Sequence, residues 1–523
     1  MKIPRTAFVA LAALLANAAA SEAPKTGDVV FTTGFDTPAE QQAWSQADFA
    51  KWLPGHGGTP SLCVTTTPDK TAGQMISMPL DLTKFRGCRL LFECLAKAEN
   101  VSKPSASYLG VKFMLHYRSE STGPVWQNEN DVHGTFDWRK LRFTSQIAAD
   151  ATGGEISLGL QGSSGTAWFD DLKITVFKLP PPARPAPPQN PPPVFKGHTL
   201  PRLRGVMSPN GFRDEDMRTL GTEWKANVIR WQLTRNWGKP GTDRDLAEYD
   251  QWMDGKLADL DKALEACRKY GIKVVVDVHS PPGGRYANND MAIFNEPVYQ
   301  DHWVALWEKI ARRYKGNPAV WGYDLINEPT QSSPSPAGVA DFLGAQVRAA
   351  KAIRKIDPDT PIFIEASEWD SPNGYKELQP VDVPRVIYQV HMYEPGAFTH
   401  QGVHGDWKPV TYPGTIAGKA WDKQQLRKTL QPVRDFQLAY NVHIYVGEFS
   451  AIRWAPGAAN YLGDCIDIFE EYGWDWTYHA YREWDGWSLE HGSDPNDHQP
   501  TKDPTDRKQL LLKWFGKNVR PQQ

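Results

Sequence analysis

The chain has 523 residues, with Lys+Arg 58 against Asp+Glu 61 and a formal net charge of −3. So even a balance supplies no field for gripping a polyanion, which excludes nucleic acid as a partner. Hydrophobic residues make up 40% of the chain, a globular share that rules out wholesale disorder, and the length calls for more than one folding unit. Trp 21, Tyr 18 and Phe 21 are more rings than a core of this size needs, and flat amphipathic rings suit the faces of sugars.

The N-terminus reads as an export leader. Lys2 and Arg5 precede an apolar run over residues 7–16, and Ala18, Ala19 and Ala20 offer a small-residue cleavage point, so residues 1–20 are expected to be a signal peptide and the product secreted or periplasmic. No later stretch reaches the roughly 18 apolar residues of a membrane span. The expected product is a monomer with no span.

Residues 27–178 carry short alternating segments at 109–117, 140–144, 156–161 and 168–177, separated by Gly, Ser and Asp turns. That spacing predicts an all-β sandwich. Trp126 and Tyr108 are candidate sugar platforms, whereas Trp138 and Trp168 fall in strand pattern and read as core. Five cysteines leave at least one unpaired if all bonds are internal, and a bond from Cys63 or Cys88 to Cys94 stays open. The opening GFD, the stretch FDWRKLRF and the ending GTAWFDDLKITVFK resemble the jelly-roll carbohydrate-binding modules attached to polysaccharide hydrolases.

Residues 179–196 begin LPPPARPAPPQNPPPV, which can form neither helix nor inner strand and is expected to extend as a stiff linker. Beyond it, residues 197–520 alternate strands with amphipathic helices. Eight strand candidates fall at 203–208, 227–234, 273–279, 320–327, 361–367, 386–393, 443–450 and 475–481, with helices at 256–270, 299–314, 339–356, 423–440, 458–472 and 507–515. Eight alternations predict a closed parallel barrel. The fold class is therefore α/β, a (β/α)8 TIM barrel preceded by an all-β jelly-roll sandwich domain.

In a parallel barrel, functional groups gather at the C-terminal strand ends. The fourth strand ends in Asn327-Glu328-Pro329 and the seventh in Gly447-Glu448-Phe449; Arg230, His279, His391, Tyr393 and Trp484 fall at or near the ends of the second, third, sixth and eighth. Two carboxylates across one mouth are what glycosidic cleavage requires, one protonated and one charged. A carboxylate beside Arg230 and a tyrosine hydroxyl is held ionised, and one flanked by Asn327 and apolar strand residues keeps its proton. Glu448 is thus expected to be the nucleophile and Glu328 the acid, later the base. Asp277 and Asp324 lie inside strands, and Glu365, Glu368, Glu394 and Glu483 show no charge partner. There is no two-residue Cys spacing, no His-Glu-x-x-His, no Gly-x-Ser-x-Gly and no phosphate-binding glycine loop, and proton transfer with covalent trapping calls for no metal or cofactor.

The stretches NVIRWQL, DVH, INEP, HMY and GEF, together with Trp484, resemble glycoside hydrolase family 5 and the wider clan of retaining (β/α)8 glycosidases. The resemblance implies that Arg230 and Tyr393 orient Glu448, that Asn327 binds the 2-hydroxyl of the sugar before the broken bond, that His279 and His391 line its subsite, and that Trp484 floors it, with Trp487 the alternative. It favours an endo-acting β-1,4-glucanase. β-Mannanase, xyloglucanase or exo-β-1,3-glucanase use the same set, and a non-catalytic polysaccharide-binding protein is the reading of another class. Loops after the sixth and eighth strands, with Trp407 and Tyr412 in the first, and Trp237, Trp369 and Trp454 elsewhere are expected to wall the cleft.

Overall fold

The computed structural model describes residues 23–403, 405 and 408–521. The expected leader and Trp407 lie outside the described residues. The chain divides into two compact units between Pro182 and Ala183.

The first unit holds two antiparallel sheets. One has six strands, Val29–Thr33, Ala50–Pro54, Pro60–Thr66, Arg89–Val101, Gly134–Gln146 and Gly165–Lys178; the other has four, Gln74–Leu80, Gly110–Arg118, Val125–Asn128 and Thr152–Gln161. Their inward rows share one buried core, where Phe92 stacks on Phe143 at 4.7 Å and meets Phe113 of the smaller sheet edge-on at 6.3 Å. Side chains alternate along a strand. Because Ala167 and Phe169 point inward, Trp168 must point outward, and Lys97 caps it at 5.1 Å. Trp138 is likewise only half buried, against His56; neither ring is the core residue its strand pattern suggested. Tyr108 and Trp126 stand 58% and 57% exposed. All five cysteines are buried and unbonded, so the open question of pairing closes in favour of thiols.

From Arg184 onward the proline-rich segment is not a free spacer. A polyproline backbone leaves its carbonyls unpaired, and groups of the second unit take them: Tyr440 donates to Pro185 O at 2.9 Å and Asn441 to Pro192 O at 2.7 Å, while Arg184 reaches back to Leu378 O at 2.9 Å.

The second unit closes eight parallel strands into a barrel: β1 Arg204–Met207, β2 Val228–Gln232, β3 Lys273–Asp277, β4 Val320–Asp324, β5 Ile362–Glu365, β6 Val386–Met392, β7 Ile444–Phe449 and β8 Asp475–Tyr478. Each falls within its predicted segment. The helices also match, except that the first begins ten residues early, spanning Leu246–Tyr270, because Asp245 accepts from Ala247 N and Glu248 N as an N-cap despite Gly255 within the helix.

The barrel interior is layered. Leu203, Val228, Val275, Trp321, Phe363, Ile387 and Tyr445 form a closed apolar layer, sealed from below by Phe195 and Leu200. Two residues further along the strands, Val228, Val275, Phe363 and Ile387 give way to Arg230, Asp277, Glu365 and Gln389. Period two therefore lifts a polar layer directly above an apolar floor, at the end of the barrel where the loops open.

Candidate active site

Arg230 occupies the centre of that polar layer and is fully buried. Its Nε donates to Asp324 at 2.7 Å, Nη1 to Glu448 Oε1 at 2.7 Å, and Nη2 to Asn327 Oδ1 at 3.1 Å and Glu365 Oε1 at 3.2 Å; Asp277 lies 3.3 Å away. A guanidinium with five donors in a fixed fork is the side chain suited to holding several carboxylates. Tyr393, one residue past β6, donates its hydroxyl to Glu448 Oε2 at 2.8 Å. Both oxygens of Glu448 thus accept from the protein. Burial alone would push this carboxyl up, but His391, His479, Arg230 and His279 overcome it and hold Glu448 well below the usual carboxylate range.

Glu328 follows β4 in a left-handed backbone conformation, φ 53°. Its amide donates to Glu365 Oε2 at 2.6 Å, and its carbonyl accepts from Arg285 Nη2 at 2.9 Å. Its carboxyl does not face apolar strand residues: His391 Nδ1 lies 3.0 Å from Oε1. One oxygen of Glu328, one of Glu448 and a ring nitrogen of His391 all lie within 4.8 Å of one another. These residue types could ligate a metal, but the guanidinium already at 2.7 Å competes with any cation for Glu448. Asn327 keeps its Nδ2 buried and without a protein partner, an unused donor beside the two carboxylates.

Of the remaining predicted residues, His279 is fixed through Nδ1 to Asp277 at 2.8 Å. β8 ends at Tyr478, six residues before Trp484, which stands 42% exposed on the rim, edge-on to Trp454 and Trp487. Trp487 is the buried ring of the two and packs on Tyr393, His400 and His479. Trp454 is half-buried, its indole donating to Gln401 O at 2.8 Å, and Tyr412 is buried against Phe398 and Tyr461.

Several site residues escaped the sequence. His479 takes the strand-end position at β8 and pairs with Glu483 at 3.0 Å. Burial would lower it, but Glu483 and then Glu448 raise it to about 9. Glu365, passed over for want of a partner, has Arg230 and Gln389. The one cue was positional: Glu365 lies two residues past the apolar Phe363 on the same strand face.

Above these groups opens a cleft of about 800 Å³, lined by Trp237, Asn289, Glu328, Glu368, Trp369, Ser371, Asn373, His391, Tyr393, Glu394 and His400. A closed barrel with two carboxylates at the ends of its fourth and seventh strands, one clamped by arginine and tyrosine, has the parts of a glycosidase. The family model for cellulase (glycosyl hydrolase family 5) matches residues 193–486, and the chain belongs to that family of glycoside hydrolases. Among its relatives are Endoglucanase C of Acetivibrio thermocellus, 28% identical over 270 residues that cover 45% of this chain and 76% of that one, and Cellodextrinase A of Ruminococcus flavefaciens, 33% identical over 203 residues covering 37% and 57%. A solved structure of Thermotoga maritima Cel5A in complex with cellobiose aligns with a TM-score of 0.46 at 20% identity, over 60% of this chain and 97% of that one.

Proposed function

We propose that the chain is an exported, retaining endo-β-1,4-glucanase in which Glu448 is the nucleophile and Glu328 the acid and later the base. One relationship carries this: Glu448 accepts from both Arg230 and Tyr393, and an oxygen of Glu328 lies within 4.8 Å of one of its own, the pairing of a clamped carboxylate with a second carboxyl beside it that a nucleophile and its acid need.

In the first step Glu448 attacks the anomeric carbon while Glu328 gives its proton to the glycosidic oxygen. The carbon–oxygen bond breaks and the leaving sugar departs with that proton. In the second step Glu328 takes a proton from water, the water oxygen attacks the same carbon, and Glu448 is released as carboxylate. Arg230 and Tyr393 keep the attacking oxygens charged and aimed. The unpartnered Nδ2 of Asn327 supports its role as donor to the 2-hydroxyl of the sugar being transferred.

The preference for β-1,4-glucan rests on the names of the relatives, since mannan, xyloglucan and β-1,3-glucan are cut by the same chemistry. We assign the first unit as a jelly-roll module of the carbohydrate-binding type, with Tyr108 and Trp126 as its exposed rings. A tethered second contact of that kind raises the local concentration of a long-chain substrate. The N-terminal leader would deliver the protein outside the cytoplasm, where such polymers are met.

The test is release of reducing ends from carboxymethylcellulose, glucomannan, mannan, xyloglucan and laminarin by the wild type beside Glu448→Gln and Glu328→Gln. Turnover of carboxymethylcellulose, lost in both variants, is expected. Binding without wild-type turnover on any of the five would make the chain a polysaccharide-binding protein instead.

A further inference from the structure

We propose that Glu483 binds the sugar being transferred, accepting a hydrogen bond from its 3- or 6-hydroxyl. This rests on the glucanase reading above, in which Asn327 takes the 2-hydroxyl, and adds a group that reads the rest of the ring.

The first observation is how the carboxylate is held. Glu483 Oε2 meets His479 Nε2 at 3.0 Å and accepts from Gln232 Nε2 at 3.1 Å. Gln232 is the last residue of β2 and is buried. It is fixed in turn by Ser208, whose carbonyl accepts from Gln232 Nε2 at 3.0 Å and whose hydroxyl accepts from Gln232 N at 3.1 Å. The Glu483 carbonyl accepts from Asn210 Nδ2 at 3.1 Å. Groups at the ends of β1, β2 and β8 therefore fix one residue through side chain and backbone together. A binding group gains from such fixing, because its ordering is complete before the ligand arrives.

The second observation is where the carboxylate stands. Its partner His479 is the first residue after β8, with its ring centroid 6.2 Å from that of Tyr393, whose hydroxyl holds Glu448. Burial opposes a charge on Glu483, but His479, the bond from Gln232 and His279 outweigh it and hold the carboxyl below its usual range. Tyr393 feels Glu483 as well, after burial, Glu448 and Glu328. Glu483 is thus a charged acceptor within reach of the groups that flank the nucleophile. It is not among the residues lining the cleft beside Glu328, so it faces the sugar that Glu448 attacks rather than the one that Glu328 releases.

The third observation is an unused oxygen. Among the described residues both side-chain contacts to Glu483 end on Oε2, and the side chain keeps 22% of its surface exposed. Burying an ion pair costs desolvation, and an apolar pair of similar volume would serve the fold as well. Neither the proton transfer nor the attack uses Glu483. A fixed carboxylate with one oxygen open suits a sugar hydroxyl, since hydrogen bonds to an ionised acceptor are the strong ones.

The experiment uses the full chain and dinitrophenyl β-cellobioside, in which the glucose beside the leaving group keeps its 2-, 3- and 6-hydroxyls, together with the analogues that are 3-deoxy or 6-deoxy in that ring. Glu483→Ala is expected to lower kcat/KM on the parent about ten- to a hundredfold, the value of one hydrogen bond to a charged acceptor. On the analogue that lacks the contacted hydroxyl, wild type and variant should agree. Glu483→Gln keeps the shape of the side chain beside His479 and should show the same pattern with a smaller loss. Equal losses on the parent and both analogues in the two variants would mean that Glu483 acts through the fold or through Glu448, and would overturn the contact. No loss on the parent would overturn it too. A wild type silent on dinitrophenyl β-cellobioside would overturn the glucanase reading beneath it, and the contact with it.

Discussion

Arg230 and Glu448 meet at 2.7 Å inside the barrel, and the same guanidinium also faces Asp277, Asp324 and Glu365 within 3.3 Å. One cation thus serves both the proposed nucleophile and the carboxylates beneath it. Arg230→Ala would strand those groups without a counter-charge, and the expected loss is about 3 to 5 kcal/mol of stability together with a fall in kcat of at least about a hundredfold. Arg230→Lys keeps the charge but not the fork and should lie between. Urea unfolding and kcat on the same samples decide it; an alanine variant as stable as wild type would refute the neutralising role.

Tyr393 tests the other oxygen of Glu448. Burial and the adjacent carboxylate push its hydroxyl well above the usual phenol range, so it stays a donor throughout the working pH range. A hydrogen bond to a charged group contributes about 1.5 to 3 kcal/mol. Tyr393→Phe should therefore lower kcat about ten- to a hundredfold, with KM little moved because the bond is made to the enzyme's own nucleophile. A rise in KM at constant kcat would place Tyr393 on the substrate instead.

Glu328 and Glu448 should separate by leaving group. A fluoride needs little protonation to depart, so Glu328→Gln is expected to lose about 10² to 10⁴ on cellotetraose yet still release a burst of fluoride from β-cellobiosyl fluoride as the glycosyl-enzyme accumulates. Glu448→Gln has no carboxylate to attack with and should lose both. Identical behaviour of the two variants on fluoride would undo the division of roles.

The exposed rings of the first unit give a separate prediction. Trp126 stacks on His116 at 4.9 Å, which holds its indole flat on the outer face of the four-stranded sheet. Trp126→Ala should weaken retention of the full chain on insoluble cellulose about tenfold, the value of one ring contact, and leave kcat on a soluble oligosaccharide unchanged. Unchanged retention, in Trp126→Ala and in Tyr108→Ala, would remove the sugar-binding role of these rings.

What the sequence revealed and what it hid divide along one physical line. The eight barrel strands were legible because strands buried on both faces read as short apolar runs, Val274 to Val276 and Ile362 to Ile364 among them. Glu328, Glu448, Arg230 and Tyr393 were legible because each stands where such a run ends. Partnerships were not. Glu365 meets Arg230 across 135 positions of sequence, and Arg285 meets the Glu328 carbonyl across 43; barrel closure brings them together, and no local pattern marks it. His479 stayed hidden for the same reason, since nothing local reveals that β8 stops at Tyr478 and brings His479 within reach of Glu483.

His479 carries the pH dependence. Its Nε2 lies 3.0 Å from Glu483 Oε2, and although burial disfavours its charge, Glu483 and Glu448 raise it from the ordinary 6.5 to about 9. A histidine raised in the folded state binds its proton more tightly there than in the unfolded chain. Its stabilisation is therefore complete below pH 6.5 and is lost as the pH rises through 9, an amount of about 3 kcal/mol for a buried pair. Wild type should lose urea resistance between pH 6 and 9.5, and His479→Gln, which has no proton to lose, should show a flatter profile over that window with a lower midpoint at pH 6. Parallel profiles for the two proteins would mean that another group titrates there and that the His479–Glu483 pair is not charged in the folded enzyme.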